Sequence, residues 1–186
     1  KWYRLAVAQG LAIAQLGLGE MYANGRGVKQ DYKEATKWYR KAAKQGDAIG
    51  QYNLGQLYYQ GKGVPQDDKE AVKWHRKSAE QGDADAQFML GGMYLFGVGA
   101  PLDNTKAFKW YRKAADQGHA EAQSYLGEMY VLGRGVSQDD SESVRWYRLA
   151  AEQGFAKAQY TLGKKYYNGR GVSRDYEEAV KWYRKA

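Results

Sequence analysis

Residues 47–82 read DAIGQYNLGQLYYQGKGVPQDDKEAVKWHRKSAEQG, and the pattern of this stretch recurs along the whole chain at a fixed interval of 36 residues. Two series mark that interval: Trp2, Trp38, Trp74, Trp110, Trp146 and Trp182, then Gly25, Gly61, Gly97, Gly133 and Gly169. Self-similarity at such a period is typical of stacked repeats. The sequence therefore predicts one repeat array: a partial second helix at 1–10, units at 11–46, 47–82, 83–118 and 119–154, and an incomplete unit at 155–186.

Each unit is predicted to hold two helices. In residues 47–82, small and apolar residues recur at helical spacing before and after the loop Gly61-Lys62-Gly63. Glycine just past a helix takes the left-handed conformation readily, so this loop ends the first helix. Asp67 followed by Glu70 is a capping-box pattern and opens the second helix. The unit is thus a helix, a glycine turn and a second helix, which predicts an all-α fold.

Two details of the unit carry further expectations. The capping aspartates recur as Asp31, Asp67, Asp103, Asp139 and Asp175. The box glutamate is replaced by Lys106 in the third unit, which predicts one weaker cap there. A helix-interior glycine also recurs at Gly55 and its equivalents, and we expect it to make room for the tryptophan of the same unit, Trp74 in the second.

The unit resembles the Sel-one-like repeat, a relative of the tetratricopeptide repeat. The residues that carry the resemblance in the fourth unit are Ala120, Ala122, Gln123, Leu126, Gly127, Met129, Tyr130, Gly133, Gly135, Val136, Asp139, Trp146, Tyr147, Ala150, Ala151 and Gly154. The resemblance spans essentially the whole chain. It implies a right-handed α/α superhelical solenoid of helix pairs that serves as a scaffold or adaptor for other proteins. Local departures, such as His75 for Tyr and Lys165 for Met, do not break the pattern.

Composition and motifs point away from catalysis. The chain has no cysteine, which removes thiolate nucleophiles, disulfides and zinc-thiolate sites. Its two histidines, His75 and His119, lie in different units without a second ligand at metal-binding spacing. The recurrent G-x-G loops lack the preceding strand and the third glycine of a dinucleotide fingerprint. We therefore expect no enzyme activity, no cofactor and no metal.

A ladder of arginines and a formal net charge of +8 raise the question of an anionic partner. The ladder is Arg40, Arg76, Arg112, Arg148 and Arg184. Because it recurs in phase with the fold, a solvated helix face is the better interpretation than a nucleic-acid ridge. No apolar run reaches the length of a membrane span. We expect neither a nucleic-acid partner nor a membrane span.

The expected binding site is the wall made by the first helix of each pair, which in tetratricopeptide-like solenoids is the concave side. Its positions differ between units, and apolar and aromatic residues gather in the middle of the chain. The candidate residues for binding a protein or peptide are Tyr52, Tyr59, Phe88, Met89, Leu95, Phe96, Tyr125, Leu132, Tyr160 and Tyr167. Exposed apolar patches with aromatic residues are typical of interaction sites. For Leu95 and Phe88, packing between helices is the alternative interpretation.

Three further expectations stay open at this stage. The alternative function is a cell-wall module that binds peptidoglycan or a glycan-processing enzyme, with tyrosines as sugar-stacking platforms. Head-to-tail self-association is expected if the array ends expose a stacking face. The family resemblance favours a bacterial exported or periplasmic protein, and the chain begins inside the repeat pattern, as a fragment of a longer array would.

Overall fold

The computed structural model describes residues 11–186, so Trp2 and the partial helix predicted for 1–10 lie outside the described residues. Within 11–186 the chain forms ten α-helices and no strand. They are α1 (Ala12–Asn24), α2 (Tyr32–Lys44), α3 (Ala48–Gln60), α4 (Asp68–Glu80), α5 (Ala84–Phe96), α6 (Asn104–Asp116), α7 (Ala120–Leu132), α8 (Asp140–Glu152), α9 (Ala156–Asn168) and α10 (Tyr176–Lys185). The all-α repeat fold predicted from the 36-residue period is confirmed.

The helices divide between two compact units. The first comprises residues up to Met93 together with Gly97–Pro101, and the second comprises Tyr94–Phe96 and Leu102–Ala186. In the first unit α1 packs on α2, α2 on α3, and α3 on α4. In the second unit α6, α7, α8, α9 and α10 pack in chain order, each on the next. Consecutive packing of this kind lets each helix pair bury its apolar stripe against its neighbours.

The helix boundaries follow the sequence signals. The first helix of each pair ends at a glycine in the left-handed conformation, as at Gly61, where φ is 65°. The second glycine of the loop, Gly63, also has a positive φ, 73°, and it has a further reason. A Cβ on Gly63 would lie 2.1 Å from the carbonyl oxygen of Tyr32, so the loop touches the start of α2 in the preceding pair. The two glycines of the loop therefore serve a helix end and an inter-repeat contact, respectively.

The capping aspartates are confirmed as N-caps, but the capping box is not formed as predicted. Asp67 accepts hydrogen bonds from the backbone N–H groups of Lys69 and Glu70. The N–H of Asp67 itself donates to the carbonyl of Tyr58 on the preceding helix at 3.0 Å. The glutamate is thus released from its reciprocal role, and Glu70 pairs instead with Lys73 at 2.8 Å. The tertiary contact replaces the local one because both satisfy the same donor.

The cap of the third unit differs from the others, as Lys106 suggested. Asp103 accepts the backbone N–H of Lys106, at 2.9 Å. The ammonium group of Lys106 lies 3.0 Å from the other carboxylate oxygen of Asp103. These two contacts with Lys106 lower the pKa of the Asp103 carboxyl. The lysine therefore adds a favourable charge contact at the position where the glutamate is lost.

The helix-interior glycines do not accommodate the tryptophans, and that expectation is wrong. A Cβ on Gly127 would lie 2.9 Å from the ring of Tyr147, the residue that follows Trp146. Gly55 meets the ring of His75 in the same way, at 2.9 Å. The ring next to the tryptophan faces the partner helix because one residue on a helix turns the side chain by about 100°. The glycine lets two helices approach over a flat ring.

A ladder of buried glutamines joins successive pairs. The amide of Gln51 donates to the carbonyl of Ala43 at 3.1 Å, and its oxygen accepts from Gln81 at 2.8 Å. Gln123 repeats the arrangement with Ala115 and Gln153. Buried polar groups persist when each is hydrogen-bonded, and here the bonds fix the register of neighbouring repeats. The recurrent glutamine of the motif is thus structural.

Candidate interaction site

The ten residues predicted for the wall lie on the first helices of the pairs, α3, α5, α7 and α9, with different exposures. The exposed ones are Tyr59, Phe96, Leu132, Tyr160 and Tyr167. The half-buried ones are Tyr52, Phe88, Met89 and Tyr125. Leu95 is buried at 7% exposure, so the alternative interpretation that it packs between helices is correct. Five of the ten side chains are therefore exposed to a partner, and four are accessible only in part.

In the second unit, a small cavity of about 50 Å³ opens between the end of α5 and the face of α7. Its lining residues are Leu95, Phe96, Tyr125, Glu128, Met129, Leu132 and Arg134. Buried Leu95 and Met129 belong to the core, whereas Phe96 and Leu132 are 62% and 50% exposed. Glu128 and Arg134 add one charge of each sign. The cavity is an apolar dimple with a charged edge.

The cavity rests on a rigid aromatic base. The ring of Tyr125 stacks on Tyr111, with centroids 5.1 Å apart and planes 11° apart. Tyr111 is 1% exposed, and this burial raises the pKa of its phenol, followed in effect by Tyr125 and Glu128. Phe108 and Tyr130 make an edge-on pair at 5.5 Å in the same unit. Because stacked rings lose little freedom on binding, such a base presents a preorganised surface.

Helix α9 continues the wall of the second unit with lysines and exposed tyrosines. The ammonium of Lys157 lies 5.4 Å from the centre of the Tyr125 ring and 3.5 Å from a Glu128 carboxylate oxygen. Lys164 lies 5.7 Å from the Tyr160 ring centre. The cavity and the face of α9 are thus adjacent through Lys157.

Both exposed tyrosines of α9 lean on α10. Tyr160 lies 5.7 Å from Tyr183, and Tyr167 lies 5.4 Å from Tyr176, measured between ring centres. Each nevertheless stays 54% exposed. Each ring is therefore held by its contact with α10 and remains accessible to a ligand.

The wall of the first unit is more polar. Tyr52 lies half-buried against His75, with ring centres 5.5 Å apart, and its hydroxyl accepts a hydrogen bond from Gln56 at 2.8 Å. Beside it, between α1 and α3, is a cavity of about 410 Å³. Its lining comprises Glu20, Ala23, Asn24, Arg26, Tyr39, Asn53, Gln56 and Leu57. Only apolar and aromatic wall positions were predicted as the binding site, so this more polar cavity was not among the expectations.

Both histidines have structural roles. His75 is fully buried under Gly55, and burial lowers its pKa from 6.5 to about 4. His119 is the N-cap of α7, and its Nδ1 accepts the backbone N–H of Ala122 at 3.2 Å. In residues 11–186, three or more His, Asp or Glu side chains do not gather into a group that could hold a metal ion.

The cations of the second helices contact aromatic rings rather than forming an open ridge. Lys41 lies 4.1 Å from the ring centre of Trp38, and Arg145 lies 4.4 Å from that of Trp146. The guanidinium of Arg40 donates to the hydroxyl of Tyr58 at 2.8 Å. Arg148 makes the same contact with Tyr166 one hundred and eight residues further along, three repeats on. Arg40 and Arg148 therefore join successive repeats, whereas Arg112 of the same ladder bonds to Asp116 of its own helix.

Within residues 11–186, no helix is long and apolar enough to span a membrane.

These features define the class of the protein: an α-helical repeat protein with a wall of exposed side chains on the first helix of each pair. The Sel1 repeat model matches residues 12–47, 48–83, 84–119, 120–155 and 156–186. The chain belongs to the Sel1 repeat family, which confirms the resemblance drawn from the sequence. Sel1 repeat proteins are generally non-catalytic scaffolds for protein interaction.

Two solved structures are similar over nearly the whole chain. One is a protective antigen present in uropathogenic Escherichia coli strains that displays an SLR fold, with 42% identity and a TM-score of 0.97. The alignment covers 99% of this chain and 39% of that one. The other is a Sel1 repeat protein from Oxalobacter formigenes, with 38% identity, a TM-score of 0.92, and coverage of 96% and 73% respectively. No curated protein matched the sequence.

Proposed function

We propose that this chain is a non-catalytic scaffold that binds a segment of a partner protein on its wall. The observation that carries the proposal is the cavity of the second unit, where exposed Phe96 and Leu132 stand over a base of stacked tyrosines. Contact of large apolar side chains with water costs free energy, and a partner that buries them removes this cost. Aromatic residues at the centre of a patch are typical of binding hot spots.

The glycan alternative has no observation of its own. Exposed tyrosines such as Tyr160 and Tyr167 serve as stacking platforms for sugars and as anchors for peptides equally well. The apolar cavity beside them favours a protein segment, because the dimple between Phe96 and Leu132 suits an aliphatic side chain. The scaffold proposal is therefore the one to test first.

The test compares two substitutions of equal exposure. Phe96 and Leu102 are both 62% exposed and both belong to the second unit, but only Phe96 lines the cavity. A bait of this chain is used to capture proteins from bacterial lysate, alongside the variants Phe96→Asp and Leu102→Asp. A wall-bound partner is retained by the wild type and by Leu102→Asp and is lost with Phe96→Asp.

Melting curves accompany the capture. An exposed Phe96 predicts that both variants melt within a few degrees of the wild type, because surface substitutions change stability by about 0.5 kcal/mol or less. Equal capture by all three proteins would refute binding at the cavity. A large fall in the melting temperature of Phe96→Asp alone would show that Phe96 is part of the core.

A further inference from the structure

We propose that the wall of α7 and α9 recognises an acidic segment of the partner, one of whose aliphatic side chains enters the cavity at Phe96 and Leu132. The inference rests on the proposed scaffold function and specifies the chemistry of its ligand. It follows from the charges that surround the cavity, from the spacing of two lysines on α9, and from the exposed tyrosine between them.

The charge of the last repeat is uneven. Residues 156–186 contain eight lysines and arginines against three aspartates and glutamates. All three acids lie at the start of α10: Asp175 caps that helix, Glu177 is in its first turn, and Glu178 pairs with Lys181. Helix α9 itself carries no acidic residue. An acidic ligand would therefore meet an excess of positive charge along α9, which favours its approach and its orientation.

Two of the three lysines of α9, Lys157 and Lys164, are available on the wall, and the third is used in the fold. Lys165 is buried in an ion pair with Asp140 at 2.6 Å, and Arg170 lies 2.9 Å from the same carboxylate. Lys157 remains 59% exposed in a loose contact with Glu128. Lys164 is exposed over the ring of Tyr160. A partner carboxylate can therefore engage Lys157 and Lys164 without breaking a buried contact.

The geometry of α9 fits an extended segment. Lys157 and Lys164 are seven residues apart, and a rise of 1.5 Å per residue separates them by about 10 Å along the helix. An extended polyproline II chain rises about 3.1 Å per residue and completes a turn in three residues, so side chains three positions apart lie on one face at about that distance. Tyr160 lies between the two lysines, and its phenolic O–H is a hydrogen-bond donor for a carboxylate. The arrangement therefore selects a partner segment with two acidic residues three positions apart. One would meet Lys157 and the other Lys164, with Tyr160 of α9 between the two contacts.

Nucleic acid fits the same surface less well. Glu128 lines the cavity and meets Lys157, and exposed Glu121 lies on the same helix α7. These carboxylates would repel the negative charges of a continuous phosphate backbone. Protein grooves that bind nucleic acid instead present cations along their whole length. A cavity of about 50 Å³ also lacks the room for a base. An aliphatic residue followed by acidic ones matches both halves of the surface.

The experiment uses dye-labelled peptides and fluorescence anisotropy on the full chain. The probe peptides carry one leucine and two glutamates three residues apart, with the leucine placed two to five residues before the first glutamate. Matched peptides carry glutamine for glutamate, and a labelled twelve-nucleotide oligo-dT is the nucleic-acid probe. We expect at least one glutamate peptide to bind and to weaken tenfold or more on the change to glutamine. Binding is also expected to weaken between 50 and 300 mM NaCl.

The protein variants separate local recognition from overall charge. Lys157→Glu with Lys164→Glu is expected to reduce peptide affinity tenfold or more. The matched control, Lys33→Glu with Lys69→Glu, changes the net charge equally at exposed positions of α2 and α4, in the other unit. The control is expected to change affinity less than threefold. Circular dichroism checks that both pairs keep their helicity.

Several results would overturn the inference. Equal loss in the two charge-reversed pairs would leave only a general charge effect, and tighter binding of oligo-dT than of any peptide would favour nucleic acid. Failure of every glutamate peptide to bind at millimolar concentration would also refute it. If Phe96→Asp still releases a captured partner while Lys157→Glu with Lys164→Glu retains it, the scaffold function stands and the acidic specificity is wrong.

Discussion

At the residue scale, single positions show how the repeat tolerates departures. His75 occupies the place that Tyr39 and Tyr147 hold in other pairs, with its ring against a helix-interior glycine. It is fully buried, and neither ring nitrogen has a hydrogen-bond partner in the structure. Burial lowers its pKa to about 4, because the charged imidazolium would lose its hydration there. Histidine in place of tyrosine at this position therefore makes the stability of the fold sensitive to acid.

We predict that His75→Tyr removes part of the acid sensitivity of the fold. Between pH 6.5 and about 4 the unfolded chain binds a proton at His75 and the folded chain does not. Stability is therefore lost as the pH falls through this window, by about 1.4 kcal/mol per unit. Urea unfolding at pH 7.5 and pH 5 should show that the wild type loses about 2 kcal/mol more than the variant. An equal loss in both proteins would contradict the assignment.

At the element scale, the contact between α8 and α9 differs from the other inter-helix contacts. Where other repeats have Met21, Leu57, Met93 and Met129, the last has Lys165. Its ammonium meets Asp140 at the start of α8, and Arg170 completes the cluster. Lys165 first and Arg170 second hold the pKa of Asp140 below its ordinary value. An ion pair thus stands in for an apolar contact.

We predict opposite outcomes for the two sides of this ion pair. Lys165→Met replaces the lysine with the residue of other repeats and leaves Asp140 with Arg170, so stability should change by about 1 kcal/mol or less, or increase. Asp140→Ala leaves the buried ammonium of Lys165 without its counter-charge and should cost about 2–3 kcal/mol. Urea unfolding of both variants and of the double variant measures the coupling. If Asp140→Ala costs as much in the Lys165→Met background as alone, the pair is not the cause.

At the scale of the whole molecule, the fold is a series of similar helix pairs. Four of the five pairs have a fully buried leucine in their apolar stripe, such as Leu54 in α3 and Leu126 in α7. The buried glutamines and the close approach of Gly63 to α2 join one pair to the next. Repeat arrays are stabilised by each unit and by its contacts with immediate neighbours. Damage to one unit should therefore stay local.

We predict that Leu54→Ala costs about 3 kcal/mol and acts mainly on its own surroundings. Hydrogen exchange should show a greater loss of protection in α3 and α4 than in α8 and α9. Leu126→Ala is the matched control, and its largest loss should fall in α7 and α8. An equal loss of protection in all helices after either substitution would show a fully cooperative array.

Local sequence signals were enough to predict the helices and their ends. Period, helix ends and N-caps depend on residues close together in the chain, such as Asp67 before α4 and Gly61 after α3, so they were predicted correctly. Leu95 was predicted as a binding residue with packing as the alternative, and the structure shows it buried. The exposure of the other wall residues depends on their neighbours in space. The sequence therefore proposed the wall, and the structure located the exposed cavity within it.

The packing of the helices determined which groups of different helices meet. It placed the helix-interior glycines of four units against the ring after the tryptophan, as for Gly127 and Tyr147, and it gave the N–H of Asp67 to Tyr58 rather than to Glu70. It also brought Lys157 of α9 beside the cavity of α7. These contacts join residues 9 to 32 positions apart. The local pattern fixes each helix, but the rotation and approach of packed helices choose among the partners that the pattern allows.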